Sequence, residues 1–270
     1  MHQRIAIITG SSSGIGKAFL ELLAGDNGSS GRTPFDEIWA VGRRLDALEE
    51  IAKSISTVKV VPIAADLSDD QGISIIENKL RDEEPEVGLL INSAGMGIKG
   101  RVMDKSPDAL DNTISINCNA LSRMIRITVP YMKSGKGRPE IINIGSSAGF
   151  LPQPGFACYA ASKSYVISFS RAMSCELKPK GINVLVVCPG PVATDFQRRA
   201  TEGKAADFTG WRKMFVIDPV KLSQASLKAS YRGRKILVYP FSQKLLHLAS
   251  KIIPTSWMLF FAGNANNKEQ

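Results

Sequence analysis

Seven short apolar runs, rich in β-branched residues and each closing on Gly, Pro or Asp, set the rhythm of this 270-residue chain. They lie at 3–9, 37–41, 58–64, 87–91, 140–144, 182–188 and 235–239. Amphipathic stretches separate most of them. Over 45–55, Leu45, Leu48, Ile51, Ala52 and Ile55 recur at helical spacing, and 73–80 repeats the pattern. Strands alternating with helices build βαβ units, which require a parallel sheet covered by helices on both faces, with right-handed crossovers. The sequence therefore predicts an α/β, doubly wound Rossmann-type domain over residues 1–240, with 241–270 as a C-terminal amphipathic extension of it. No internal repeat or linker divides the chain, and its length suffices for one large core.

Two segments break the rhythm. Residues 25–36 (GDNGSSGRTPFD) read as an exposed loop between the first helix and the second strand. Residues 195–217 mix charges with Phe196, Phe208, Trp211 and Phe215. A connection that long inside a compact domain is usually functional, so this one reads as an active-site lid.

The run Gly10-Ser11-Ser12-Ser13-Gly14-Ile15-Gly16 follows the first strand directly and opens a helix. Glycines at this place let the backbone turn tightly and approach a pyrophosphate, and the helix N-terminus adds free N–H groups and a favourable dipole. The spacing G-x-x-x-G-x-G after a strand points to a dinucleotide. Arg43 and Arg44 come right after the second strand, at the end of the sheet where ligands bind in open α/β folds. An acid there would accept a hydrogen bond from a ribose 2′-hydroxyl, whereas arginine pairs with a 2′-phosphate. The expected cofactor is NADP, with NADPH preferred over NADH; the alternative for the two arginines is a solvated basic turn.

Further motifs follow in order: Asp66-Leu67 after the third strand, NSAG at 92–95, Asn117 in a helix, IGSSAG at 144–149, Tyr159-Ala-Ala-Ser-Lys163, and PGPVAT at 189–194. With TGSSSGIG at 9–16, this series resembles the short-chain dehydrogenase/reductase family, clearly over 3–195 and loosely beyond. The resemblance implies seven strands in the order 3-2-1-4-5-6-7 and an NAD(P)-dependent oxidoreductase acting on CH–OH groups. It implies Tyr159 as proton donor, Lys163 holding the nicotinamide ribose, and Ser146 on the substrate oxygen, with Ser147 as the alternative. Asn117 would hold a water that links Lys163 to solvent. Asp66 and Leu67 would meet the adenine, Asn92 would shape a strand end, and Ala94 and Gly95 would line the cofactor. Pro189, Gly190, Val192 and Thr194 would do so at the nicotinamide, Thr194 bonding its amide. Two departures are mild: Ser93 stands where the family has a second Asn, and Ala120 where it has Gly.

The chemistry agrees with that assignment. Tyr159 and Lys163 are four apart in a predicted helix, so they share a face. A free tyrosine titrates near ~10, and a nearby ammonium is expected to lower that value. A non-catalytic NADP(H)-binding sensor on the same fold is the alternative, but it has no need of Asn117, Ser146, Tyr159 and Lys163 together.

Composition narrows the rest. Cys118, Cys158, Cys175 and Cys188 have no metal-ligand spacing and are too few for a disulfide scaffold, so four mostly buried thiols and no metal are expected. No apolar stretch reaches the ~20 residues of a membrane span, and the N-terminal run lacks a secretory cleavage site, which makes a cytoplasmic location the expectation. Residues 1–195 hold 21 Lys/Arg and 21 Asp/Glu, while 196–270 hold 13 against 4, so the net charge of +9 lies entirely in the last part. That excess marks either an anionic partner or a solvated basic surface. No nucleic-acid motif accompanies it, and none is expected as a partner. Over 240–253, Leu245, Leu248, Ala249 and Ile252 recur at helical spacing beside Lys244 and Lys251; Pro254 stops the helix, and WMLFFA follows at 257–262. Such a segment either packs on the domain or across a homodimer, or lies in a membrane interface with Trp257 and Phe260 as anchors. The final strand lacks the Gly-Gly ending common in tetrameric members of the family, so a dimer is expected ahead of a tetramer. Phe150, Phe156, Phe196, Trp211 and Phe215 are candidates to line an apolar pocket for a lipophilic carbonyl, steroid- or acyl-like.

Overall fold

The computed structural model describes residues 3–26, 33–133, 135, 137–201, 216–254, 256, 257 and 259. One sheet of seven strands runs in the order β3-β2-β1-β4-β5-β6-β7. The strands are β1 (Arg4–Thr9), β2 (Glu37–Gly42), β3 (Lys59–Ala64), β4 (Glu86–Asn92), β5 (Glu140–Ile144), β6 (Asn183–Pro189) and β7 (Ile236–Tyr239). Every pairing between neighbours is parallel. This is the doubly wound single-domain fold that the strand–helix rhythm requires.

The helices are α1 (Gly14–Ala24), α2 (Leu45–Ser54), α3 (Asp70–Glu83), α4 (Pro107–Ile114), α5 (Ala120–Thr128), α6 (Ala157–Glu176), α7 (Asp195–Ala200), α8 (Pro219–Tyr231) and α9 (Phe241–Ile252). Successive strand residues point to opposite faces, and each face has its own helices. Ile5 and Ile7 of β1 pack with Ile73, Ile76 and Leu80 of α3, Leu121 and Met124 of α5, and Val166 of α6. Ala6 and Ile8 pack with Phe19 and Leu20 of α1, Leu48 of α2 and Leu222 of α8. Because both faces are covered, the central strands are mostly apolar, with polar residues chiefly at their ends, and all six residues of β1 are buried.

Local chemistry sets several helix starts. Asp69 accepts from the Gly72 N–H at 2.7 Å to cap α3, and Ser106 and Asp218 cap α4 and α8, each followed by a proline that cannot use its missing N–H. Between α4 and α5 the chain widens into a π-helical stretch, Ser115–Asn119, which carries Asn117. Helical periodicity does not reveal such an insertion. Cys118 and Cys188 are buried, Cys158 is half-buried and Cys175 is exposed, so the thiols are less uniformly interior than expected. Among the described residues no helix is long and apolar enough to cross a membrane, and no group of three His, Cys, Asp or Glu is placed to hold a metal. Of the predicted lid, 202–215 lie outside the described residues, as do 27–32 of the 25–36 loop and 258 and 260–262 of the apolar tail.

Candidate active site

The order of the strands reverses at β1, whose neighbours β2 and β4 leave in opposite directions. Crossover helices diverge there and open a crevice beyond the carboxyl ends of the strands. A cleft of about 600 Å³ occupies that place. Its lining joins the first turn, the ends of β2, β3 and β4, and the segments after β5 and β6.

At the dinucleotide end, Gly10, Ser12, Ser13, Gly14 and Ile15 line the cleft. Gly10 has φ +68°, and a Cβ on it would lie 2.8 Å from the Ala94 nitrogen, so only glycine lets the first turn close on the end of β4. Gly14 faces the Thr194 side chain across the cleft. Gly16 points the other way, against the Gly10 carbonyl, and packs α1 onto the turn. Thr9 completes this floor: its hydroxyl accepts from the Ser93 and Ala94 N–H groups at 3.1 and 3.0 Å and reaches the Ile91 carbonyl. A floor without side chains, with a helix N-terminus behind it, fits a pyrophosphate.

Arg43 and Arg44 border the same cleft, exposed at its rim. Arg44 donates to the Ser12 carbonyl and hydroxyl at 3.2 and 3.4 Å. Arg43 lies 3.7 Å from the Asp66 carboxylate. Partial burial opposes ionisation of Asp66, yet hydrogen bonds from the Ser68 hydroxyl and N–H, with Arg43 beyond, hold its pKa below the ordinary carboxylate value. Asp66 is therefore a fixed acceptor at the end of β3, with Leu67 and Ser68 beside it in the lining.

At the other end, Tyr159 and Lys163 stand one turn apart on α6, both buried and both lining the cleft. The Lys163 ammonium donates to the Ile144 carbonyl at 2.8 Å and sits 5.7 Å from the Tyr159 ring centre. Burial pushes the Tyr159 phenol up to about 12, a rise that its hydrogen bond with Ser146 only partly offsets. Burial likewise pushes Lys163 down to about 8. The expected lowering of the phenol by the ammonium is thus reversed: desolvation outweighs it, and the ammonium is spent on Ile144. Ser146 starts the short 3-10 turn Ser147–Phe150 and accepts from the Ala148 N–H, which fixes its hydroxyl beside the phenol.

Asn117, Asn92 and Gly190 lie behind the cleft surface. The Asn117 amide donates to the Met96 carbonyl and the Ser162 hydroxyl at 2.8 and 2.9 Å, and its oxygen accepts from the Met96 N–H. It ties the loop after β4 to α6. Asn92 donates to Asn143, and Asn143 to Ser170, in a buried chain across β4, β5 and α6. Gly190 packs against Gln243 of α9. Ala94, Gly95, Pro189, Val192 and Thr194 all line the cleft.

Phe156 stacks on Tyr159 with ring centres 4.4 Å apart, and Phe196 of α7 tilts over the same ring at 5.3 Å. Phe150 turns away to His247 of α9, 4.2 Å between ring centres. Trp211 and Phe215 lie outside the described residues. The cleft also takes Met96, Ile116 and Arg198, which carry no sequence signal of their own and are brought in by the loops around them.

Known proteins match this arrangement. The short chain dehydrogenase family profile matches residues 4–205. An uncharacterized short-chain type dehydrogenase/reductase of Sinorhizobium fredii is 36% identical over 197 residues, 73% of each chain. Glycine betaine reductase of Emericella nidulans is 30% identical over 204 residues, and the chain spans 15% of that protein's length. A short-chain dehydrogenase from Sphingobium yanoikuyae, solved with NADPH, superposes with a TM-score of 0.75 at 27% identity, over 99% of this chain and 96% of that one. A bulky-bulky ketone specific alcohol dehydrogenase from Comamonas testosteroni does so with a TM-score of 0.72 at 25% identity, over 100% and 95%. The chain belongs to the short-chain dehydrogenase family and is an oxidoreductase whose fold binds a nicotinamide cofactor.

Proposed function

We propose that this protein is an NADPH-dependent carbonyl reductase, reversible as an alcohol dehydrogenase, acting on lipophilic ketones and secondary alcohols. The observation that carries this reading is the buried pair Tyr159 and Lys163, with the half-buried Ser146 hydrogen-bonded to the phenol, at one end of a cleft whose other end offers Arg43 and Arg44. The bound nicotinamide supplies the hydride in reduction and accepts it in oxidation. Everything else falls to the chain. Tyr159, protonated throughout the neutral range, donates its phenolic proton to the carbonyl oxygen. Ser146, hydrogen-bonded to the phenol, shares that oxygen and orients it. Lys163 is positioned to bind ribose hydroxyls near the phenol. Asn117 holds Met96 and α6 together, and beside that it keeps the expected role of holding a water that links Lys163 to solvent. Arg43 and Arg44 supply the charge for a 2′-phosphate, and Asp66 receives the adenine end. Phe156, Phe196, Met96 and Ile116 give the substrate an apolar surround. The bulky-ketone specificity of the Comamonas enzyme and the NADPH of the Sphingobium complex support substrate class and cofactor, respectively.

The test is NADPH and NADH oxidation against a panel of small and bulky ketones, repeated with Arg43→Ala/Arg44→Ala. Bulky apolar ketones are reduced with NADPH preferred, and the double variant weakens NADPH far more than NADH. An equal loss with the two cofactors, or no turnover of any ketone, refutes the reading.

A further inference from the structure

The C-terminal helix presents an apolar face that remains exposed among the described residues. On α9, Phe241 is 71% exposed, Leu245 60%, Leu248 55% and Ile252 70%. At about 100° per residue these four fall within roughly 60° of one another, so they form one stripe. The opposite side is occupied: Gln243 packs on Gly190, and His247 on Phe150. Trp257, beyond the helix, is 66% exposed. Large apolar side chains gathered on one helix face mark a contact surface.

The charge around the stripe identifies what covers it. From Pro219 to Lys268 the chain has no Asp or Glu, but it has Lys221, Lys228, Arg232, Arg234, Lys235, Lys244, Lys251 and Lys268. Lys244 and Lys251 lie two helical turns apart on one shoulder of the stripe. They open onto a groove of about 310 Å³ between α9 and β7, where Arg234 adds a third cation and Ile236, Val238 and Leu248 form apolar walls. Among the described residues no acid lines that groove. A twofold axis perpendicular to α9 at its centre would run the helices antiparallel, setting each copy's Lys244 opposite the other's Lys251. Those like charges would repel, with no acid among the described residues of the groove to neutralise them. An anionic bilayer meets both needs: acyl chains receive the stripe, and lipid phosphates receive the lysines.

We infer that α9 docks this protein, in the plane of the interface, on the surface of an anionic phospholipid membrane. The inner side of the docked helix adjoins the catalytic end, since Phe150, which meets His247, closes the turn that begins at Ser146. This assignment is independent of the reaction proposed above, because it is read from binding and not from turnover.

The full chain is sedimented with vesicles of mixed phosphatidylglycerol and phosphatidylcholine, and with phosphatidylcholine vesicles alone, at low and high salt. The protein pellets with the anionic vesicles, stays behind with the neutral ones, and is released by salt. Lys244→Ala/Lys251→Ala lowers partitioning roughly thirtyfold, from the usual attraction of two cations to an anionic leaflet. Leu245→Ser/Ile252→Ser abolishes it, while the circular dichroism spectrum and NADPH binding stay as in the parent. Three results overturn the assignment: no pelleting with either vesicle, pelleting that ignores lipid charge or the α9 substitutions, or a dimer in solution that Leu245→Ser/Ile252→Ser converts to monomer. The last would give the face to a second copy.

Discussion

Burial acts in opposite senses on the two titratable groups of the cleft. It keeps Tyr159 protonated, with a pKa of about 12, and brings Lys163 down to about 8. The phenol is thereby an intact acid at neutral pH, which suits carbonyl reduction. The lysine is costly to the fold when charged. Between about 8 and the ordinary 10.5, the unfolded chain holds a proton on Lys163 that the folded chain has released. The Lys163 contribution to stability therefore improves as pH rises through that window, by on the order of 3 kcal/mol, and is at its worst below it. Lys163→Met removes the effect. Urea unfolding should show the variant more stabilised, relative to the parent, near pH ~8 than near pH ~10; the same difference at both would mean that the ammonium is not desolvated. Tyr159, Lys163 and Ser146 were legible in the sequence because spacing and order mark them. The direction of the tyrosine shift was not, because it depends on burial that spacing does not report.

The elements were legible wherever burial leaves a periodic trace. The strand runs 37–41 and 140–144 meet β2 and β5 to within a residue, because two-sided burial makes them predominantly apolar, Glu37, Glu140 and Asn143 apart. Other features hid behind polar letters. Ser170 of α6 and Ser226 of α8 are buried, and each hydroxyl is satisfied by the carbonyl four residues earlier, Val166 and Leu222. A buried helix face made partly of such serines does not read as amphipathic. Nor does a sequence show the close approach of α3 to the end of β3. A Cβ on Gly72 would lie 1.8 Å from the Asp66 carbonyl oxygen, which is backbone and has little room to yield. Gly72→Ala should therefore displace Asp66, destabilise the protein by roughly 1–3 kcal/mol and weaken cofactor binding. Thermal denaturation and an NADPH titration check this. An unchanged affinity would show that Asp66 does not take part in the cofactor site.

Over the whole molecule, the fold gathers residues from position 10 to position 198 along the carboxyl edge of one sheet. Parallel strands do this by construction, since every strand ends on the same side. The basic, acid-free C-terminal segment was visible as a charge asymmetry, but its apolar stripe acquired a direction only when Gln243 and His247 were seen to hold the inner side of α9. The central claim is that Tyr159 donates the proton in NADPH-dependent carbonyl reduction. The most direct test is the single-turnover rate of a bulky ketone with bound NADPH, measured for the parent and for Tyr159→Phe, together with the NADPH dissociation constant of each. Loss of one positioned acid should slow the variant by ~10²–10⁴ while the dissociation constant stays within about twofold. A variant that keeps most of its rate would show that the proton comes from elsewhere.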